Sequence, residues 1–379
     1  MSTLRVNTLQ NTSTTDGGIS IDSSGHVTID GQKLPSAGPL SNRNLIINGA
    51  MQVAQRGTSF TGLTTGTNYG ADRYGFVIGG AGTWTVANST TSLDDFKDSV
   101  KIDCTTAKTS LAAGDQCNFR YVFEGQDLQH LKKGTSAAES LTLSFWVQSN
   151  KTGTYIVELF DGDNTRHISR SYTIDSSGTW EPKTITFPGD TTGSLDNDNN
   201  NSLTVRWWLV AGTDWTSGTL ATNWQAQDNT DRAVGQVNLA DSTDNEWQIT
   251  GVQLEVGSVA TPFEHRSLSN ELERCKRYYQ TVGTVCSGFC EGTTRIAINV
   301  PFNPEMRAAP NISVFAGRVA RFRDNATDVS ITNPTLNNTS VEKYGVWTRV
   351  STSGRTNGNP ITGRVNGADG DFIAANAEI

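Results

Sequence analysis

Charge is scarce in this chain. Only 18% of its 379 residues are Asp, Glu, Lys or Arg, and they sum to −8 at pH 7. That balance argues against nucleic-acid binding, which needs a basic face. It also argues against docking on anionic lipid by charge alone. Long hydrophobic runs are missing: no stretch approaches the roughly 18 apolar residues of a membrane span. The opening MSTLRVNTLQ lacks the apolar core of a secretory signal. A soluble protein made in a cytoplasm is the expectation. Cysteines number five, an odd count that suits reduced thiols better than a disulfide framework. The four histidines, His26, His130, His167 and His265, are scattered. There is no G-x-S-x-G, no P-loop and no H-E-x-x-H. Asp and Glu are frequent, but no pair stands out as the two carboxylates of a glycosidase. Internal repeats of fixed period are also missing. These gaps point to a non-enzyme without a cofactor.

What is present is turn-rich and β-forming. Glycine contributes 37 residues, alongside many Thr, Asn and Ser, and hydrophobic residues make up 35%. Such a composition predicts an all-β protein with thin cores, and thin cores favour oligomers that share burial. Residues 1–41 read as a separate segment. Ile19-Ser-Ile-Asp and Val27-Thr-Ile-Asp form a short hairpin around Ser23-Ser24-Gly25. A pair that small is not stable alone. Residues 42–265 read as one large β-sandwich of jelly-roll type. Its strands are Trp84–Ala87, Ser99–Asp103, Asn118–Phe123, Leu141–Gln148, Thr154–Phe160, Ser169–Ile174, Lys183–Phe187, Leu203–Val210 and Trp247–Val256. The last of these slips its alternation near Gly251, as a β-bulge would. A linking helix over 266–280 follows, with an apolar stripe of Leu268, Leu272, Cys275 and Tyr279. Residues 281–379 read as a smaller β-sandwich with strands at Ile296–Val300, Asn311–Val314, Thr327–Ile331, Val346–Ser351 and Gly370–Glu378. Because the chain closes on a strand, ANAEI, this domain is expected to be complete.

Four stretches carry a family resemblance. They are NRNLIINGAMQVAQRGTS at 42–59 with ADRY at 71–74, FPGDTTGSLDNDNNNSLTVRWWL at 187–209, QLEVGSVATPFEHRSLSNELERCKRYYQ at 253–280, and VPFNPEMRAAPNISV at 300–314. In that order they are similar to phage tail-fibre and related virion fibre proteins. The resemblance implies a homotrimeric virion fibre with a jelly roll of the kind found in carbohydrate-binding modules. Residues 1–41 would then dock on a tail or adaptor protein. A host cell-surface glycan or outer-membrane component would be contacted by the distal β domains. Competing readings are a purely structural fibre or decoration protein and a glycan-degrading tailspike, although the regular short parallel strands of a β-helix are missing.

Candidate contact residues are Arg and aromatic side chains, which suit anionic glycan: guanidinium pairs with carboxylate or phosphate, and a ring stacks on sugar. In the C-terminal domain these are Arg318, Arg321, Arg323, Tyr344, Trp347, Arg349 and Arg355. The bland alternative is that Arg321 and Arg323 merely keep an edge strand soluble. Trp208, Trp215 and Trp224 form an alternative glycan site, against plain packing. Trp207 and Trp208 are adjacent in a strand and must face opposite ways. Asp161-Gly-Asp163-Asn164 could open a calcium loop. The EF-hand position for glutamate holds Tyr172, however, so a β-turn is the better reading. The polar run 190–202 reads as a solvated loop. Cys275, Cys286 and Cys290 fit no common zinc spacing, and no metal is expected.

Overall fold

The computed structural model describes residues 8–9, 18–23, 25–29, 32–282, 286–314, 319–324, 327–332, 336–353, 357–365 and 373–378. Two compact units divide the chain, Met1–Ser267 and Leu268–Ile379. Both are built almost wholly from antiparallel strands.

The first unit begins with four short strands, β1 (Thr8–Leu9), β2 (Ile19–Ile21), β3 (Val27–Ile29) and β4 (Gln32–Lys33), in one sheet. The expected hairpin is its centre, with Ile19 opposite Ile29 and Ile21 opposite Val27. Eleven strands form the main sheet: β5 (Ser59–Tyr69), β6 (Tyr74–Thr90), β7 (Asp98–Thr106), β8 (Gln116–Glu124), β9 (Leu141–Ser149), β10 (Gly153–Asp161), β11 (Arg166–Ile174), β12 (Glu181–Phe187), β13 (Asn201–Ala211), β14 (Gln225–Ala226) and β15 (Glu246–Val256). Their order is β12-β9-β15-β7-β6-β8-β13-β10-β11-β14, with β5 beside β6. In a flat sheet, β9 and β11 would lie seven strand spacings apart, roughly 34 Å. Instead Phe145 of β9 lies 5.3 Å from Tyr172 of β11 and 5.8 Å from Trp207 of β13. Phe119 of β8 lies 5.7 Å from Trp247 of β15. The sheet therefore curls over on itself into a jelly-roll-type sandwich, and these inward aromatics fill it.

Every strand expected between Trp84 and Val256 lies within an observed one. The strand Ser59–Tyr69 and the first half of β6 escaped the sequence reading. Gly79, Gly80 and Gly82 look like a break there. The structure uses Gly80 (φ 74°) and Gly82 (φ 85°) at register shifts, so one long strand serves β8 with its first half and β7 with its second. The expected bulge at Gly251 is real: φ is 61°, and the β15–β9 register shifts between Thr250 and Gln253. The segment 42–59 closes around β15. Asn44 Nδ2 donates to Val252 O at 3.0 Å, and Gln55 N donates to Asp72 Oδ1 at 3.0 Å. Two of the quoted motifs, 42–59 and ADRY, are thus one hydrogen-bonded corner.

The second unit opens on the helix Leu268–Lys276, preceded in the chain by the single helical turn Thr213–Thr216 of the first unit. The helix stripe differs from the expectation. Leu268 is 57% exposed and Leu272 only half-buried, whereas Glu271, Cys275 and Tyr278 are buried. The helix also stops at Lys276, so Tyr279 already belongs to a strand and helical spacing no longer places it. That strand, β16 (Tyr279–Val282), joins β25 (Ile373–Asn376) and β19 (Asn311–Val314) in a three-stranded sheet. A seven-stranded sheet faces it, ordered β21 (Thr327–Thr332), β20 (Val319–Asp324), β24 (Pro360–Val365), β17 (Cys286–Cys290), β18 (Arg295–Pro301), β23 (Gly345–Ser351), β22 (Leu336–Glu342). Ile296, Ile298, Val346 and Val350 of the larger sheet share one core with Ile373 and Ala375 of the smaller. This is the second sandwich.

Candidate ligand-binding surface

On β23 the side chains alternate strictly. Val346, Thr348 and Val350 are buried, so Trp347 and Arg349 stand on the outer face of the seven-stranded sheet. Register decides what lies beside them. Trp347 is opposite Ser340 of β22 and Asn299 of β18; Asn299 is opposite Ser287 of β17; Ser287 is opposite Thr362 of β24; and Thr362 is opposite Arg323 of β20. The two stretches that the sequence offered separately, around Arg323 and around Trp347, therefore belong to a single cross-strand row. Four strand spacings separate them, roughly 19 Å. Arg321 lies on the same strand as Arg323. Arg318 and Arg355 fall outside the described residues.

The next row holds Arg349, Ala297, Phe289 and Pro360. Arg349 sits over the Trp347 ring, 4.5 Å from its centroid. Its guanidinium also grips Glu291 with two bonds, one of 2.8 Å from Nη2 and one from Nε. That bond from Arg349 holds the Glu291 carboxyl below its ordinary range. Arg349 thus has its charge answered within the chain. Its role here is to fix the indole by a cation–π contact, not to offer a bare cation. Phe289 is 46% exposed, and Tyr344 at the β22–β23 turn is 58% exposed with Lys343 5.7 Å from its ring. Sequence reading missed Phe289 and Asn299. The Gly-bracketed SGFC looks like a loop until β17 is seen between β18 and β24.

The alternative tryptophans are used differently. Trp207 enters the main core and Trp208 the opposite face of β13, as adjacency requires. Trp208 is fully buried, however, beneath residues 212–233. It presents no ring to a ligand, which corrects its place among the contact candidates. Trp215 packs on it at 5.4 Å, and Arg232 lies 5.4 Å from the Trp208 ring and 5.2 Å from that of Trp215. Arg232 is there to meet Glu158, which is wholly buried: Nε to Oε1 is 2.7 Å and Nη2 to Oε2 is 3.0 Å. Arg206 and the Trp208 indole N–H reach the same carboxylate at 3.3 Å. Trp224 donates to Pro188 O at 2.8 Å and packs against the core.

The acidic turn 161–165 joins β10 to β11 as a turn. The run 190–202 is a loop up to the start of β13, as expected, with Thr191, Thr192, Ser194, Asp196, Asn197 and Asn200 exposed, but it is tied down at several points. Lys133 Nζ lies between Asp161 Oδ2 (2.5 Å) and Asp190 Oδ2 (3.1 Å) and donates to Thr192 O and Gly193 O. Asn164 Nδ2 donates to Ser194 O at 2.8 Å, and Asp196 N donates to Asp163 Oδ2 at 2.8 Å. The Lys133 ammonium is thus held among two carboxylates and two carbonyl oxygens.

No family model matches this chain, and no curated protein matches it. Among solved structures, it is similar to the enzymatically active domain of tailspike protein 4 of bacteriophage CBA120. Identity is 12% and TM-score 0.30, over 56% of this chain and 21% of that one. It is also similar to a family 11 carbohydrate-binding module from Clostridium thermocellum in complex with a β-1,3-1,4-mixed-linked tetrasaccharide. There identity is 12% and TM-score 0.28, over 54% of this chain and 99% of that one.

Proposed function

We propose that the protein is a saccharide-binding attachment protein of a virion fibre, and that it contacts its receptor through the outer face of the seven-stranded sheet. The observation that carries this is Trp347: a half-exposed indole, locked by Arg349, set in a row of short polar side chains. An immobilised ring flanked by amide and hydroxyl groups suits a sugar, whose apolar face stacks while its hydroxyls find hydrogen bonds. The sequence resemblance spanning about 42–379 supports the fibre role. Residues 1–41 are then the attachment to a tail or adaptor protein, and the assembled fibre is located on the virion. The reading is of a binding protein, not a catalyst.

Adsorption of purified protein to host cells tests it. Trp347→Ala is expected to weaken adsorption at least tenfold, about 1.4 kcal/mol, with the melting temperature held. Unchanged adsorption by a folded Trp347→Ala variant would remove this face from the reading. The fibre role further predicts a homotrimer, since thin cores and the small N-terminal sheet favour burial around a shared axis. Native mass spectrometry giving monomer at micromolar concentration would contradict it.

A further inference from the structure

The Gly251 bulge builds something besides a kink. A Cβ at Gly251 would come within 2.7 Å of the Phe96 ring and 3.1 Å of Trp146 Cδ1. Only glycine, then, lets those two rings close on the strand. Phe96 in turn stacks at 5.5 Å on His265 and meets Phe263 edge-on at 4.9 Å, and those two rings touch at 4.8 Å. These rings wall a cleft of about 420 Å³, within the roughly 300–1,000 Å³ of small-ligand sites. Its floor is the outer face of three adjacent strands. Trp146 of β9 is opposite Pro182 of β12 and Thr250 of β15, and Ser144 is opposite Thr184 and Gln253. Trp146 is half-buried and Thr184 exposed. So the floor offers one half-buried indole beside the hydroxyl-bearing Ser144 and Thr184.

We propose that this cleft is a second binding site, for a neutral saccharide. It is independent of the second unit's sheet face. The combination is the same in kind as around Trp347: a ring for the apolar face of a pyranose, and hydroxyl groups at its rim. Charge selects the class. The one lysine lining the cleft, Lys183, is already bonded to Glu181 at 2.6 Å, while Asp95 adds a carboxylate to the lining. An anionic sugar would meet that carboxylate while the lysine's charge is already answered by Glu181.

Titration calorimetry on the full-length protein with a panel of neutral hexose and N-acetylhexosamine tetrasaccharides tests this. At least one is expected to bind. Trp146→Ala and Thr184→Arg are each expected to weaken it at least about tenfold, and Trp347→Ala to leave it unchanged. Thr184 is exposed, so its arginine blocks the cleft without touching the core even if Trp146→Ala misfolds. Binding of no member at about 10 mM overturns the site. So does binding that survives Thr184→Arg, or binding lost only in Trp347→Ala. In that last outcome the sheet-face reading stands while this one falls.

Discussion

Replacing Arg232 with alanine is expected to destabilise the first unit by roughly 3–5 kcal/mol. The variant leaves Glu158, which has no solvent exposure, with its bidentate partner gone. Burial pushes the Glu158 carboxyl up, but the Arg232 and Arg206 guanidiniums, with His167 Nδ1 3.4 Å away, overcome it. They hold the group well below the usual carboxylate range. A folded-state value below the unfolded one stabilises above the unfolded pKa, near 4.3, and that stability is lost as pH falls through the acid range. Wild type should therefore lose melting temperature from about pH 5 downward, and Glu158→Gln should flatten that slope. Replacing the carboxylate and both guanidiniums by apolar residues, Glu158→Leu with Arg232→Met and Arg206→Met, should cost much less than Arg232→Ala, because the buried charges are removed together. Thermal melts from pH 3 to 7 decide it. An Arg232→Ala protein as stable as wild type would show that the network carries no net stability.

Lys133→Ala should be comparably severe and, unlike Arg232→Ala, repairable. Lys133 is 6% exposed and Asp161 0%. Without the ammonium, Asp161 keeps only its bonds from Asn164, while Asp190 keeps Arg166 at 2.8 and 3.1 Å. The expected loss is roughly 3–5 kcal/mol, felt first in the 190–202 segment that Lys133 ties down. The vacated position would be surrounded by two carboxylates and the Thr192 and Gly193 carbonyl oxygens. Those are hard oxygen ligands of the kind calcium takes. Calcium at about ten times its dissociation constant would then return about 1.4 kcal/mol to the variant. Wild type, with the ammonium in place, should gain nothing. Melting curves with calcium and with chelator measure both. A variant indifferent to calcium, or a wild type equally stabilised by it, would contradict the reading of Lys133 as the resident cation.

Period-two alternation is a local property, and it was legible residue by residue. It placed the strands from Trp84 to Val256, set Trp207 and Trp208 on opposite faces, and marked Gly251 as a bulge. It erred where local signals mislead. Three glycines hid the continuity of β6, and helical spacing was extended past Lys276 to Tyr279. Which strands lie side by side is a different matter, because pairing joins residues far apart in the chain and leaves no local trace. Only tertiary structure set Arg323 and Trp347 in one row, and only it brought Phe96, Trp146 and Phe263 around one cleft. Burial is equally non-local. Trp208 lost its claim to a ligand because residues 212–233 cover it, and the acidic turn gained a buried ion pair because Lys133 arrives from another part of the fold.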